Sequence, residues 1–360
     1  MKKKLLSVLL TFCMVLSLLP VTALAEEPAG TGSTQSAPPA EFKSGEYVSQ
    51  SDLKWHISNG KSLTVTGDNG EKLVFDTEAL KGIDSQISGP FKADIEDISA
   101  EYQNGHPGKK VFYLTVSSGD KTIANFGGKV TITLPYELND GETAGNVTVW
   151  YLTNSGITIE IPSSYDLETK LVTFEVTHFS LYMIGVDTWA NPFEDVSEND
   201  WFYKEVKFAK QNNLFVGTGS TTFSPARPMT REMLWTVLGR VDGGEKLYGD
   251  GVYEAAREWA MAAGLTDGTN PGKSITREQI VTILWRYAKY KGYDVSFGED
   301  TNILSYNDAL SISEYAFPAM QWACGAGIIK GYNGNLMPKD NATRAEVAAI
   351  LQRFIETTIK

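Results

Sequence analysis

Three times in the C-terminal half of this chain, Thr-Arg is followed by a second Arg ten residues after the Thr. The copies are Thr230-Arg231…Arg240, Thr276-Arg277…Arg286 and Thr343-Arg344…Arg353. A repeat of this size is one supersecondary unit, and it must stack on its neighbours to bury an apolar face. Each copy has a matching segment before it. The first has Phe208-Ala209, Asn213-Leu214, Gly217 and Phe223-Ser224-Pro225; the second has Trp259-Ala260, Gly264-Leu265, Gly268 and Pro271; the third has Trp322-Ala323, Gly327-Ile328, Gly331 and Leu336-Met337-Pro338. Upstream of these stand Phe193-Glu194-Asp195, Tyr248-Gly249-Asp250 and Tyr306-Asn307-Asp308. A unit therefore reads aromatic-x-Asp, helix, turn, Pro-containing loop, helix.

The second helix of each unit has a start signal. Thr accepts from free N–H groups of a first turn. Gln279 and Glu346, three residues on, complete a capping box, whereas the first copy has Met233 there. Apolar residues follow at helical spacing: Leu234, Val237 and Leu238; Ile280, Leu284 and Tyr287; Val347, Ile350, Leu351 and Phe354. These stripes are read as core.

The pattern Phe193-x-Asp195-Val196…Trp201…Gly217…Phe223-x-Pro225…Thr230-Arg231-Glu232 resembles the S-layer homology (SLH) repeat, whose hallmark is Ile-Thr-Arg-Ala-Glu. Ala342-Thr343-Arg344-Ala345-Glu346 is the nearest match to that hallmark, and Ile275-Thr276-Arg277-Glu278 the next. The resemblance implies an all-α bundle with pseudo-threefold symmetry. It also implies non-covalent binding to a secondary cell-wall polysaccharide of the Gram-positive type, often bearing acidic pyruvyl groups. By match to the family pattern, the polymer-binding residues would be Arg231, Arg277 and Arg344, with Asp195, Trp201, Gly217 and Gly331 as further candidates. The chemistry fits. Arginine offers a planar fork of donors to a carboxylate, and a helix start adds N–H groups and partial positive charge. The competing reading pairs each motif arginine with a carboxylate such as Asp195 or Asp308. Arg240, Arg286 and Arg353 are read as structural. The second copy is shortened and has no counterpart of Trp201; Tyr315 stands near that position in the third.

Lys2 to Lys4, the apolar run Leu5 to Leu19 and Ala23-Leu24-Ala25 read as a secretory signal over residues 1–25. Residues 26–44 are rich in Gly, Ser, Thr, Pro and Ala and are expected to be a disordered linker. No later stretch is apolar enough to span a membrane, and no sorting signal is read at the C-terminus. A secreted, cell-wall-bound chain acting as a monomer is therefore expected. The net charge is −12, and losing three lysines with the signal makes it more negative, which argues against nucleic acid as a partner. Cys324 is the one cysteine outside the signal, so no internal disulfide is expected; a buried, inert thiol is. The three histidines are far apart, and no metal, nucleotide or hydrolase motif is found, so neither a cofactor nor an enzyme is expected.

Residues 45–188 read as an antiparallel β-sandwich of seven or eight strands. β-Branched runs such as Leu63 to Val65, Val111 to Val116, Val130 to Leu134 and Leu171 to Val176 alternate with turns such as Asn69-Gly70 and Asp140-Gly141. Repeats over 189–243, 244–300 (the shortened one) and 301–360 complete the layout. The segment from Gly128 to Tyr136, with Val147 to Leu152, resembles modules of Gram-positive surface proteins. His178-Phe179-Ser180 bears a fainter likeness to ZU5-type domains, some of which cut themselves ahead of the Ser. Two alternatives to a displayed sandwich thus stand: a glycan-binding adhesin, for which Trp150, Tyr151 and Tyr182 would be the platform, and a self-processing module cleaving between Phe179 and Ser180.

Overall fold

The structure is a computed structural model, and it describes residues 37–244, 247, 251–296, 298 and 301–358. The expected signal over 1–25, most of the linker, and the Tyr248-Gly249-Asp250 element lie outside the described residues.

Among the described residues the N-terminal part holds thirteen strands in two sheets. They are β1 (Glu41–Lys43), β2 (Tyr47–Val48), β3 (Leu63–Thr66), β4 (Lys72–Phe75), β5 (Phe91–Asp97), β6 (Lys110–Ser118), β7 (Lys121–Thr122), β8 (Asn125–Pro135), β9 (Val147–Leu152), β10 (Thr158–Ile161), β11 (Ser163–Asp166), β12 (Leu171–His178) and β13 (Leu181–Val186). One sheet runs β1-β3-β4-β8-β12-β11. The other runs β10-β9-β13-β6-β5-β2, with β7 paired to β6. Alternate side chains from both, including Val65, Leu73, Ile132, Ala93, Leu114 and Tyr182, meet in one core.

Three features depart from the expectation. β1 pairs parallel to β3, from Glu41 opposite Thr64 to Lys43 opposite Thr66, so ordered backbone begins inside the stretch expected to be linker. Every other paired strand is antiparallel. Two helices of eight or more residues interrupt the strands, besides a single helical turn at Ser99–Tyr102: α1 (Gln50–Ser58), capped by Ser49, and α2 (Thr77–Asp84), capped by Asp76, which accepts from the Ala79 N–H at 2.7 Å. The proposed aromatic platform is core. Tyr151 and Tyr182 are buried between the sheets, and Trp150 is buried on the opposite face with Val111 and Met183.

The C-terminal part is helical: α3 (Tyr203–Gln211), α4 (Arg231–Val241), α5 (Val252–Ala262), α6 (Arg277–Lys291), α7 (Phe317–Gly325) and α8 (Arg344–Thr358), two per unit. The first helix of each unit ends alike. Asn213, Gly264 and Gly327 take φ of 55°, 70° and 69°. The next residue returns its N–H to Ala209, Ala260 or Ala323 at 2.8–2.9 Å, a Schellman turn.

The units close into a ring. α5 packs on α4, α7 on α6, and α3 on α8, so each first helix sits on the second helix of the preceding unit and the third unit returns to the first. On the inside, Ile275 donates its N–H to the Met229 carbonyl, Ala342 to Ile275, and Met229 to Ala342, at 2.9, 3.0 and 3.0 Å. Each of these residues is buried and stands just before its unit's Thr.

The sheets and the ring share a continuous apolar cluster. Asn212, at the end of α3, pairs with the edge strand β10. Its Oδ1 accepts from the Thr158 N–H at 2.7 Å and Oγ1 at 3.0 Å, and its Nδ2 donates to the Thr158 carbonyl at 2.9 Å. Beside it Lys207 bridges Asp187 and Glu160, at 2.5 and 3.1 Å.

Candidate functional site: the junctions between repeats

Each Thr begins its second helix as a cap. Glu346 and Thr343 form both legs of the box, at 2.8 and 3.3 Å, and Gln279 accepts from the Thr276 N–H at 3.2 Å. In the first unit the Thr230 hydroxyl accepts from Met233 at 3.4 Å, with no return leg. The next residue of each unit, the motif arginine, crosses to the following unit.

Arg277 donates Nε–H to the Leu336 carbonyl at 2.8 Å and Nη2–H to that of Lys330 at 2.9 Å. Arg344 does the same to Phe223 and Val216, both at 2.7 Å, with its guanidinium 4.6 Å from the centre of the Phe223 ring. Both are only 6% exposed. Burial lowers the pKa of Arg277. For Arg344, burial first and the neighbouring Arg227 charge second bring it down to about 10. Arg231 differs. Its Nη2 reaches the exposed Asp267 carboxylate at 3.2 Å and the Thr266 hydroxyl at 3.3 Å, and its buried Nε has no acceptor. The trailing arginines each bond a carbonyl of their own unit, Arg240 that of Leu214, Arg286 that of Leu265 and Arg353 that of Ile328, at 2.8, 3.0 and 2.9 Å, and Arg240 also donates Nε–H to the Leu247 carbonyl at the start of the next unit, at 2.9 Å.

The other candidate residues shape these junctions. Asp195 accepts from the Phe223 and Ser224 N–H groups, both at 2.7 Å, and Asp308 from Leu336 and Met337 at 2.8 and 2.7 Å. These carboxylates hold the Pro-containing loops, in which Ser224 and Met337 take positive φ of 58° and 53° directly before proline. Neither aspartate pairs with a motif arginine. A Cβ on Gly217 would lie 2.7 Å from the Gly219 carbonyl oxygen, and one on Gly331 would lie 2.7 Å from the Tyr306 ring. Both glycines let the loop fold against its aromatic-x-Asp element. Trp201, just ahead of α3, is 63% exposed.

Several groups had no signal in a single copy. Glu278, following Arg277, is nearly buried and accepts from the Ser313 N–H, the Tyr315 hydroxyl and Lys339, at 3.0, 3.1 and 2.7 Å. Burial alone would raise its pKa, but Lys339, Ser313 and Tyr315 overcome that and lower it. A shallow cleft of ≈ 510 Å³ lies alongside, between Tyr332, Asn335, Pro338, Lys339 and Asp340. The second residue after the loop proline lies against the motif arginine. Arg344, Arg231 and Arg277 donate their backbone N–H to the carbonyls of Arg227, Lys273 and Asp340, at 2.9, 3.0 and 3.0 Å. Aligning the three units exposes this position; no copy alone does. Tyr253, 44% exposed in the first turn of α5, gives the second unit an aromatic near the Trp201 position.

Residues 192–232 and 305–348 match the S-layer homology domain. These are the first and third units, and the match marks a cell-surface protein anchored without a covalent link. The chain is 27% identical over 329 residues to an amylopullulanase of Thermoanaerobacterium thermosulfurigenes, covering 86% of this chain and 17% of that enzyme. It is 31% identical over 179 residues to an endoglucanase of Bacillus sp. (strain KSM-635), covering 46% of this chain and 19% of the enzyme. It is 32% identical over 180 residues to the exoglucanase XynX of Acetivibrio thermocellus, covering 46% and 16%. The chain spans less than a fifth of each relative's length. The longest match cannot fit within the repeats and takes in much of the sheet region. No described helix is long and apolar enough to cross a membrane.

Proposed function

We propose that the three units are tandem SLH repeats that hold this protein on an acidic, pyruvylated secondary cell-wall polysaccharide, and that the sandwich is a fixed part of the anchor with no catalysis of its own. One observation carries the reading. All three units, including the second, which lies outside the matched segments, end in a capped Thr-Arg helix start facing the loop of the next unit, so the ring presents three surface junctions built from one plan. The small share of each enzyme that the chain covers fits an attachment module. The long amylopullulanase match, together with the Asn212–Thr158 pairing, favours a sandwich that travels with the repeats.

The test is cosedimentation of the full chain with Gram-positive sacculi that carry pyruvylated polymer, before and after hydrofluoric acid strips it. Binding that disappears on stripping supports the anchor. Absence from intact sacculi, or equal binding to stripped ones, overturns it.

A further inference from the structure

The outer face of the sheet that holds β9, β13 and β6 carries a second apolar cluster, apart from the core between the sheets. Two rows of side chains cross these three strands. Val111, Met183 and Trp150 stand side by side in one, and Tyr113, Leu181 and Leu152 in the next. An outward sheet face leaves such groups to solvent unless something covers it. Here Val111, Met183 and Trp150 are at most 5% exposed. The cover is the connection between β5 and β6, from which Ile98 and Tyr102 pack on the cluster.

Residues 99–109 of that connection are tied chiefly to themselves. The Gln103 amide closes the loop. Its Nε2 donates to the Ser99 and Lys109 carbonyls, both at 3.1 Å, and its Oε1 accepts from the Gly108 N–H at 3.1 Å. The His106 N–H donates to the Tyr102 carbonyl at 2.8 Å, and the two rings stack 6.5 Å apart. A loop with its ends joined and its own side chains packed within it is an Ω-loop. It carries its internal bonds with it when it shifts. The base is fixed by Asp97, which holds Lys110 at 3.0 Å and the Ser99 N–H at 2.9 Å, and by Ser99 Oγ, which accepts from the Val111 N–H at 2.9 Å. Beyond the base, among the described residues, one hydrogen bond reaches the loop from elsewhere, from Asn139 Nδ2 to the Gly108 carbonyl at 3.2 Å. The other tie is Lys109. Its stem crosses β13 at Gly185, where a Cβ would lie 2.8 Å from the lysine Cγ, and its ammonium sits 3.9 Å from the centre of the Trp150 ring.

We infer that residues 99–109 form a hinged lid that swings off the sheet as one body while the sandwich stays folded, and that Lys109 on Trp150 is its latch. Opening gives up one polar contact, one cation–π contact and the cover of a cluster separate from the main core. It keeps the internal bonds of the loop and the ladders of both sheets, so it costs far less than unfolding. Open, the sheet presents Trp150 and Met183 to solvent as an apolar face that the closed state withholds. Lys109 governs when that face is offered. This device is independent of the anchoring reading.

The test is iodoacetamide labelling of the full chain carrying Cys13→Ser and Cys324→Ser. Thiols introduced by Met183→Cys and, separately, by Val111→Cys report the face under the lid, and one introduced by Ala93→Cys reports the core between the sheets. The two lid positions are expected to label at least about tenfold faster than the core position, at a rate that does not rise with urea below the unfolding transition, as a local opening requires. Lys109→Ala is expected to speed labelling under the lid by about threefold, the loss of one cation–π contact, and Lys109→Arg to restore the parent rate, with the core position unaffected by either. Labelling under the lid no faster than at Ala93→Cys overturns the lid. Faster labelling that Lys109→Ala leaves unchanged overturns the latch. Neither result bears on attachment to the wall polymer, which the cosedimentation assay decides.

Discussion

Met229 donates its backbone N–H to the Ala342 carbonyl at 3.0 Å, across more than a hundred residues of chain, and this bond closes the ring of three units. The closure explains why arginine follows the capping threonine. A side chain at that place is aimed at the next unit's loop, whose carbonyls otherwise lack donors once buried.

The first prediction follows from those carbonyls. Arg344→Ala and Arg277→Ala should each destabilise the fold by about 3 kcal/mol, since each removes two buried bonds and strands two acceptors. Lysine should not rescue either, because one ammonium cannot span both carbonyls. Arg231→Ala should cost about 1 kcal/mol or less, its partner Asp267 being mostly exposed. Urea melts of the three variants give the ranking, and equal losses would contradict the geometry.

Glu278 should make the ring acid-sensitive. Its carboxyl titrates below the normal range when folded, because burial is outweighed by Lys339, Ser313 and Tyr315. The unfolded group, near pH 4.3, then takes up protons before the folded one. Its contribution is therefore full above about pH 4.3 and is lost as the pH falls through the folded pKa. Glu278→Gln should flatten the stability profile on the acid side of that value and leave its shape near neutrality unchanged, as read by melts from pH 3 to pH 7.

The sandwich should not swing freely on the repeats. Asn212 treats the edge of β10 as a neighbouring strand would, accepting from and donating to the same residue, Thr158. Asn212→Ala should cost about 1–3 kcal/mol and raise amide exchange at Thr158 and along β10. Unchanged protection there would mean that packing alone fixes the interface.

Much of the ring was legible because its signals are local. Thr caps, the apolar stripes and the left-handed residues at Asn213, Gly264 and Gly327 depend on neighbours within a few positions. The structural reading of Arg240, Arg286 and Arg353 fits their bonds to nearby turns. The targets of the motif arginines were not legible. Arg344 meets Phe223 and Val216 at separations of 121 and 128 residues, and nothing in a Thr-Arg pair encodes a partner that distant. In the sheets, β-branched runs announced the central strands. β5, Phe91–Asp97, was not in the strand reading because it alternates with Lys92, Asp94 and Glu96. Helices α1 and α2 were hidden because Ser49 and Asp76 read as turn residues as readily as caps.

Cys324 should be slow to react. It is half-buried in α7, and burial pushes its thiol up to about 11, with Arg277 only partly opposing the shift. Little thiolate exists at neutral pH. Iodoacetamide should label the unfolded chain far faster than the native one at pH 7.5, and equal rates would place the thiol in open solvent.

The peptide between Phe179 and Ser180 is expected to stay intact. It joins β12 of one sheet to β13 of the other, and its surroundings hold it on both sides. The Phe179 N–H donates to the Ala124 carbonyl at 2.9 Å, and the Ser180 carbonyl accepts from Leu114 at 3.0 Å. The Phe179 ring is packed edge-on against Phe126 and Phe75, at 4.8 and 5.7 Å. His178 meets Tyr151 edge-on at 4.9 Å, and its carbonyl accepts from the Tyr182 hydroxyl at 2.6 Å. Attack by the serine hydroxyl on the preceding carbonyl needs a twisted peptide and a base aligned on that hydroxyl. Neither Phe179 nor Ser180 takes a positive φ, and the peptide is not cis. Intact mass of the secreted chain decides the matter. A single species without a break ahead of Ser180 is the expected result, and two fragments divided there that vanish in Ser180→Ala would make the sandwich a self-processing module.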